Sequence, residues 1–228
     1  MKPSSLLFWY NEGMKVIPRE AGRVTYSTEI RNLKKVPFTP LQKALVIGSI
    51  LGDGCLCENW SKTNYRLFIN HCIEQKEYVR WKYDVLKNYI LSEPRFYARN
   101  NSLTIRTISH SELSELRNTF YKNKQKIIPQ NIKEFLKDPR VIAIWFMDDG
   151  NAVVRNTKHI GYHFNTQSFT REENKLLAEC LYALYGIDAR LEQNHGRYRL
   201  AIWKHDSRIK TRNLIEPYML KNMYYKLG

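Results

Sequence analysis

The chain has 228 residues, and its 37 Lys and Arg against 22 Asp and Glu give a formal net charge of +15. Its content of 43% hydrophobic and 13% aromatic residues suffices for a buried core, which excludes global disorder. The longest apolar runs, residues 44–52 and 141–147, are shorter than the ~20 residues that span a bilayer, and the N-terminus lacks a secretory signal pattern. We predict an intracellular protein, in a prokaryotic cytoplasm or an organelle (mitochondrion or chloroplast), that is not secreted and contacts no membrane.

The basic residues are spread along the chain rather than gathered in one tail. Such a distribution favours a folded surface that meets a polyanion over a disordered basic arm. No basic amphipathic helix stands out, so an anionic membrane is a weaker partner than nucleic acid.

Four cysteines are too few for a disulfide framework in a chain of this length, and they suit a reducing compartment. Cys55, Cys57 and Cys72 together with His71 suggest a zinc site as one interpretation. Their spacing differs from that of structural zinc sites, and adjacent residues of a strand point to opposite faces. We expect packed thiols, with the zinc site as the alternative.

The first 38 residues precede the regular pattern, and we interpret them as an N-terminal extension that forms an ordered arm or an accessory contact to nucleic acid. Thr39 and Pro40 then supply a capping side chain and a proline at the first helical position. These two residues predict a helix that continues through the apolar run to Asp53 and Gly54.

After this helix, segments in which hydrophobic residues recur every two residues, as in strands, alternate with segments in which they recur every 3.6 residues, as in helices. This pattern predicts strands over 55–60 and 65–72, a helix over 75–90, strands over 95–99 and 103–108, and a helix over 111–121.

The second half of the chain repeats this order. Residues 142–150 echo residues 46–54, so that Asp149 follows Asp53 by 96 residues, and Asp138 with Pro139 introduces the second helix as Thr39 with Pro40 introduces the first. The remaining elements are predicted as strands over 151–156 and 159–167, a helix over 170–185, strands over 187–193 and 197–203, and a helix from about 206.

The predicted fold class is therefore α/β of the α+β kind, with two pseudo-symmetric αββαββα repeats at residues 39–137 and 138–228 after the extension at 1–38. We expect antiparallel sheets with helices on one side, and the two apolar helices at the interface of the repeats.

The face of these sheets that the helices leave free carries polar and basic residues. A solvated surface with scattered charge is the plain alternative. Ten such positions with few acids among them favour contact with nucleic acid. They are Arg66, Asn70, Arg95, Arg99, Arg106, Arg155, Asn165, Arg190, Arg197 and Arg199.

The repeated Asp-Gly pair is typical of a helix stop, with the glycine in the left-handed conformation. A carboxylate in the last turn lies at the negative end of the helix dipole, where it is disfavoured by about 0.3–1 kcal/mol. If the two helices pack together, which the small residues Gly48 and Gly52 favour, Asp53 and Asp149 lie side by side and require cations. Hard oxygen ligands favour Mg²⁺, and such a site suits phosphodiester hydrolysis.

The paired segments 46–54 and 142–150 resemble the two motifs of a single-chain LAGLIDADG homing endonuclease, and the similarity extends from Thr39 to Leu227. The resemblance implies that Asp53 and Asp149 are metal-binding catalytic residues. It also implies a metal-site role for their neighbours Gly52 and Asp148.

The family also places a basic residue near each scissile phosphate, and the resemblance assigns that role to Lys126 and Lys226. They follow Asp53 and Asp149 by 73 and 77 residues, which fits the repeat. Plain surface charge is the alternative for either lysine.

The activity that the resemblance implies is cleavage of a long, nearly asymmetric site in double-stranded DNA by a monomer. Both sheets would form a saddle over flanking major grooves, with cuts across the minor groove that leave short 3′ overhangs. Mg²⁺ is the implied cofactor, with Mn²⁺ as a substitute and Ca²⁺ supporting binding without cleavage. The alternatives are a maturase of the same architecture that acts on intron RNA, and a DNA-binding regulator without activity. A regulator would have no reason to keep the costly acidic pair.

Overall fold

The computed structural model describes residues 8–10, 14–16, 27–59 and 62–228. The described residues form α-helices and β-strands throughout the predicted repeats. The helices are α1 (Thr28–Leu33), α2 (Pro40–Leu51), α3 (Lys76–Leu86), α4 (Ser111–Phe120), α5 (Ile132–Phe135), α6 (Pro139–Asp149), α7 (Arg171–Tyr185) and α8 (His205–Ile215). Short 3₁₀ helices span Ile73–Gln75, Lys87–Tyr89, Ala98–Asn100, Glu216–Tyr218 and Lys221–Leu227.

The strands pair in antiparallel fashion. They are β1 (Phe8–Tyr10), β2 (Met14–Val16), β3 (Cys55–Glu58), β4 (Tyr65–Cys72), β5 (Arg95–Tyr97), β6 (Ser102–Arg106), β7 (Tyr121–Lys122), β8 (Gln125–Lys126), β9 (Gly150–Arg155), β10 (Lys158–Phe164), β11 (Arg190–Asn194) and β12 (Arg197–Ile202). Two four-stranded sheets have the orders β3-β4-β6-β5 and β11-β12-β10-β9, and β1 with β2 and β7 with β8 form hairpins. The predicted α/β class with antiparallel sheets is confirmed.

The chain divides into two compact units. The first unit comprises Met1–Gln42 and Cys55–Glu115, and the second comprises Lys43–Gly54 and Leu116–Gly228. This division follows packing, whereas the predicted division at residues 38 and 137 follows sequence similarity and stays a prediction. Most of α2 therefore belongs to the same unit as α6.

The predicted helix starts are confirmed by their caps. Thr39 Oγ1 accepts a hydrogen bond from the Gln42 N–H at 3.3 Å, and Gln42 Oε1 accepts one from the Thr39 N–H at 3.0 Å. Asp138 Oδ1 accepts the Arg140 N–H at 3.0 Å at the start of α6. Each cap satisfies backbone donors that have no partner inside the first helical turn.

Several strands end earlier than the alternation predicts. The strand that starts at Arg95 ends at Tyr97, and Arg99 lies in the 3₁₀ turn Ala98–Asn100. The strand predicted to Gln167 ends at Phe164. In both places the chain turns to hydrogen-bond locally, which the period of two does not reveal. Most of the predicted N-terminal extension, and Trp60, lie outside the described residues.

Each large sheet packs helices on one face. In the first unit, α3 lies against β4 and β6, and the face with Leu67, Ile69 and Ile105 is buried. In the second unit, α7 lies against β11 and β12, and the face with Phe164 and Leu200 is buried. The opposite faces carry exposed arginines such as Arg106 in the first sheet and Arg197 in the second. Within the described part of the chain, no helix is both long and apolar enough to cross a membrane.

The helices α2 and α6 approach each other closely inside the second unit. A Cβ on Gly48 would lie 2.8 Å from Ile144 Cβ and 2.9 Å from Val141 O. Ile144 is 2% exposed, so the bulky residue of one motif fills the space that the glycine of the other leaves free. The close approach therefore requires a small residue on one helix and tolerates a large one on the other.

We predict that Gly48→Ala lowers the free energy of unfolding by about 1–3 kcal/mol, because the added methyl group overpacks the contact with Ile144. The higher helix propensity of alanine acts in the opposite direction and does not compensate fully. Urea denaturation measures the change. Lys43→Ala, at an exposed position of the same helix, is the control and should change stability by less than about 0.5 kcal/mol. A Gly48→Ala protein as stable as the wild type would contradict the close contact.

Candidate active site

Asp53 and Asp149 lie at the C-terminal ends of α2 and α6. Asp53 is exposed in the turn after its helix, whereas Asp149 is the last residue of α6 and is half-buried. The turn that follows α2 is closed by the Gly54 N–H, which donates to Ser49 O at 2.7 Å. Both aspartates belong to the second unit.

The glycines after the aspartates are needed for space and not for a left-handed backbone. Gly150 is extended, with φ −88° and ψ 156°, which corrects the predicted conformation. A Cβ at Gly150 would overlap the ring of Phe146, and one at Gly54 would lie 2.9 Å from Ser49 Cβ. The side chains of the preceding helical turn therefore exclude any larger residue at these two positions.

Asp148 is turned towards the end of the first helix. Its Oδ2 accepts the Asp53 N–H at 3.2 Å, and its side chain occupies the space that a Cβ on Gly52 would need. Oxygen atoms of Asp53 and Asp148 lie within 4.8 Å of each other. Gly52 and Asp148 occupy the same position in the two motifs. The missing side chain of Gly52 leaves the space that the carboxylate of Asp148 fills.

Lys126 and Lys226 make equivalent contacts. Lys126 Nζ donates to Gly52 O at 2.7 Å, and Lys226 Nζ donates to Asp148 O at 2.7 Å. Each acceptor is the carbonyl directly before one of the two aspartates. The structure thus brings both predicted lysines to the ends of the helices, where a cation also compensates the negative end of the helix dipole.

Different elements position the two lysines. Lys126 ends the β7–β8 hairpin, whose two-residue turn places Asn123 and Lys124 at φ 48° and 69°. These values match the type I′ turn that suits the twist of a hairpin. Lys226 lies in the 3₁₀ helix Lys221–Leu227, which is anchored by the buried side chains of Met223 and Leu227.

The carboxyl group of Asp149 is electrostatically crowded. Burial and the negative charges of Asp53 and Asp148 raise its pKa from 3.8 to about 7, although the charges of Lys126 and Lys226 act in the opposite direction. Three carboxyl groups thus lie near two ammonium groups, so the site carries an excess of negative charge when all three carboxyl groups are ionised.

The donor set fits a hard divalent cation. The carboxylates of Asp53, Asp148 and Asp149 and the carbonyls of residues 52 and 148 supply oxygen atoms, which Mg²⁺ and Ca²⁺ prefer. Burial and the charges of Asp53 and Asp148 raise the pKa of Asp149, and a bound cation would offset the charge repulsion among these carboxylates. The predicted metal residues therefore suit such an ion chemically.

In the first unit, four of the predicted DNA contacts share the open sheet face. Directly paired residues of antiparallel strands point to the same side. Asn70 and Arg95 both pair with Thr104, and Arg106 pairs with Phe68, two residues from Arg66 on the same strand. Arg99 is exposed in the turn after β5 and is not part of this set.

In the second unit, the open face carries Arg155, Arg190, Arg197 and Arg199. Arg190 pairs with Ala201, Ala201 pairs with His163, and His163 pairs with Asn151. These pairings continue across the whole sheet, so the residues lie on one face. The alternation along each strand predicted this arrangement.

Sequence analysis missed the acids that pair with two of these arginines. Arg199 Nε donates to Glu192 Oε1 at 2.9 Å, directly across the strand pair, and His163 Nε2 lies 3.3 Å from the same oxygen. Burial, aided by the Arg199 charge, lowers the pKa of His163. The second ion pair joins Arg190 Nη2 and Asp188 Oδ2 at 3.6 Å. A two-residue turn at His195 and Gly196 could have revealed the first of these pairs. Once the hairpin around that turn is assigned, its register places Glu192 opposite Arg199.

The structure places Asn165, the tenth predicted contact, beside Asp149. It follows the end of β10, and both its backbone N–H and its Nδ2 donate to Asp149 O at 2.9 Å. Its Nδ2 also donates to Asn151 Oδ1 at 3.1 Å. Asn165 is therefore tied to the end of α6, a relation that its position in the sequence did not indicate.

Comparison with known proteins gives one family. The sequence model of the LAGLIDADG DNA endonuclease family matches residues 43–209, well over half of the chain. A relative, the probable intron-encoded endonuclease 1 of Wickerhamomyces canadensis, is 29% identical over 210 residues, which cover 87% of this chain and 89% of that protein.

Two further proteins are similar over most of their length. The cytochrome b mRNA maturase bI2 of Debaryomyces hansenii is 26% identical over 216 residues, which cover 88% of this chain and 78% of that protein. The solved structure of the homing endonuclease I-WcaI bound to its DNA recognition sequence matches with a TM-score of 0.80 and 25% identity, over 89% of this chain and 93% of that chain.

We predict that Asp149→Asn stabilises the protein in EDTA at pH 8 by about 1–3 kcal/mol, with a gain that vanishes near pH 4. The folded pKa of about 7 is above the unfolded value, so the stability contributed by the protonated carboxyl is complete below about pH 4 and declines as the pH rises to about 7. Asparagine removes this decline because it stays neutral. Urea denaturation between pH 4 and 8 measures the difference, and equal stability of both proteins at pH 8 would contradict the crowding.

Proposed function

Because the chain belongs to the LAGLIDADG DNA endonuclease family, we propose that it is a site-specific homing endonuclease that hydrolyses both strands of a long DNA site with the help of a divalent metal ion. The observation that carries the proposal is the repeated arrangement at the ends of α2 and α6. At each end a lysine donates to the carbonyl that precedes an aspartate.

Two equivalent acidic centres suit two equivalent reactions, one on each strand of a duplex. Asp53 and Asp149 offer carboxylate oxygens, and Asp148 holds the backbone of the first centre through the Asp53 N–H. Lys126 and Lys226 place an ammonium group where negative charge develops on a phosphate during cleavage. The pairs are held by packed elements, so little reorganisation accompanies the reaction.

A bound divalent cation supplies Lewis-acid stabilisation of the phosphate oxygens and an acidified water molecule. Mg²⁺ suits the oxygen-only donor set best, with Mn²⁺ as a substitute. Ca²⁺ is expected to support binding without cleavage.

The open sheet faces supply the DNA contacts. Backbone phosphates attract arginine, and bidentate contacts to base edges give sequence preference. Exposed arginines such as Arg95, Arg106, Arg155 and Arg197 provide this charge in both units. The similarity to I-WcaI, a structure bound to its DNA recognition sequence, supports DNA as the partner. We propose that the protein acts as a monomer, inside a prokaryotic cell or an organelle.

An intron RNA maturase is the second candidate, and one comparison favours it: the chain is 26% identical to a cytochrome b mRNA maturase. The endonuclease is the better proposal because both aspartates are present and both lysines donate to the carbonyls that precede them. A DNA-binding regulator without activity would not need this crowded acidic site.

The proposed activity is tested on a library of double-stranded sites, incubated with Mg²⁺ or with Ca²⁺. We expect cleavage with short 3′ overhangs in Mg²⁺ and binding alone in Ca²⁺. Asp53→Asn and Asp149→Asn should each reduce double-strand cleavage by at least ~10²-fold while DNA affinity in Ca²⁺ changes by less than about threefold. The rates come from single-turnover assays and the affinities from fluorescence anisotropy.

Binding without cleavage by the wild type in Mg²⁺ and Mn²⁺ would contradict the nuclease assignment. A variant that cuts both strands at the wild-type rate would remove its aspartate from the proposed mechanism.

The assignment of the open faces predicts the salt dependence of DNA binding. Arg95→Ala and Arg197→Ala should each weaken binding several-fold and reduce the slope of log K against log salt by about 0.9 for each phosphate that the variant no longer neutralises. Lys175→Ala is the matched control, because Lys175 is 72% exposed on α7, on the other side of the second sheet. Titrations at several salt concentrations measure both values. A larger effect of Lys175 than of either arginine would place the DNA elsewhere.

A further inference from the structure

Asn165 connects two segments of the second unit at the end of α6. Its backbone N–H and its Nδ2 both donate to Asp149 O, each at 2.9 Å. The same Nδ2 donates to Asn151 Oδ1 at 3.1 Å. Asp149 O therefore accepts two hydrogen bonds from one residue, and both lone pairs of that carbonyl are used.

The loop that holds Asn165 is itself rigidly supported. Thr166 is 1% exposed, and its hydroxyl accepts the Leu200 N–H from β12 and donates to Asn174 Oδ1. Asn174 is fully buried, and its Nδ2 donates to the carbonyls of Thr166, Phe169 and Thr170. A saturated buried network of this kind has few alternative arrangements. Asn165 is consequently presented to Asp149 in one orientation.

The hydrogen bonds from Asn165 act on Asp149, a proposed metal ligand whose carboxylate must be oriented. The Asp149 carbonyl lies at the negative end of α6, and its carboxyl group is crowded by Asp53 and Asp148. Two N–H donors at the carbonyl compensate part of the helix dipole and limit rotation of the Asp149 backbone. The direction of the carboxylate depends on that backbone.

The first repeat has an asparagine at the matching register. Ile69 pairs with Ile105 as Phe164 pairs with Leu200, and the next residue is Asn70 in one case and Asn165 in the other. Asn70 Oδ1 is buried and, among the described residues, accepts no hydrogen bond. The same residue type thus recurs at the matching register, inside β4 in the first repeat and directly after β10 in the second, although most neighbouring residues differ.

We propose that Asn165 is a positioning residue that orients Asp149 for cation binding, and that its side chain is not a DNA contact. The inference rests on the proposed function, since it assumes that Asp149 serves a metal-dependent nuclease. Residues that orient a metal ligand commonly change metal affinity or activity by 10–100-fold when they are replaced. A residue that contacts DNA changes DNA affinity instead.

The test uses the full chain with Asn165→Ala, which removes the Nδ2 donor and retains the backbone contact. The rescue variant is Asn165→Gln, which keeps an amide. Asn118→Ala is the matched control, because Asn118 is exposed on α4 in the same unit. Urea denaturation first confirms that each variant is folded.

Two readouts are needed. One is the Mg²⁺ concentration for half-maximal cleavage under single-turnover conditions with saturating DNA. The other does not require cleavage: the DNA dissociation constant is measured by anisotropy over a series of Ca²⁺ concentrations, which gives the Ca²⁺ midpoint and the limiting affinity.

For Asn165→Ala we expect both metal midpoints to rise at least tenfold, while DNA affinity at saturating Ca²⁺ changes by less than threefold. Asn165→Gln should recover part of the shift, and Asn118→Ala should match the wild type. Unchanged metal midpoints would overturn the proposal, as would a tenfold decrease of DNA affinity at saturating Ca²⁺. If the wild type fails to cleave, the proposed function fails, and the Ca²⁺ midpoints still decide the role of Asn165.

Discussion

The structure of the second unit depends on one electrostatic constraint, which is that two helices end at the same place and each end carries a carboxylate. Gly48 and Gly52 allow the approach, because a Cβ at either position would collide with Ile144 or Asp148. Burial, together with the negative charges that this approach brings near, raises the pKa of Asp149 to about 7. Lys126 and Lys226 compensate only part of this charge. A bound cation would offset the remaining excess, which is why the proposed metal-dependent cleavage suits this site.

The two motifs solve this constraint with different residues at equivalent positions. Position 52 is a glycine and position 148 an aspartate, and the carboxylate of the second fills the space beside the first. The lysines reach equivalent carbonyls from unrelated elements, a hairpin in one case and a 3₁₀ helix in the other. The repeated chemistry is therefore more regular than the repeated sequence. A single chain permits such asymmetry because its two halves have different sequences.

The open sheet faces are basic but not uniformly so. Glu192 accepts a hydrogen bond from Arg199 and so holds this arginine in a defined direction, whereas Arg190 lies near Asp188 but stays mostly exposed. An arginine that is already oriented loses less conformational entropy on binding and discriminates bases more sharply than a mobile one. The net charge of +15 favours attraction to a polyanion in general, whereas these pairs set the local environment of two of the proposed contact residues.

The sequence by itself determined the order of the main helices and strands of the two repeats, because caps such as Thr39 and Asp138 and the hydrophobic periods are local properties. It did not predict α1, the β7–β8 hairpin or α5. It also determined both acidic motifs, and the resemblance that these motifs carry pointed to the two lysines. Three features were decided only by tertiary structure: the direction of the Asp148 carboxylate, the attachment of Asn165 to the Asp149 carbonyl, and the extended backbone of Gly150 beside the Phe146 ring. Each depends on distances and steric limits between atoms of a folded chain, which neither composition nor periodicity encodes.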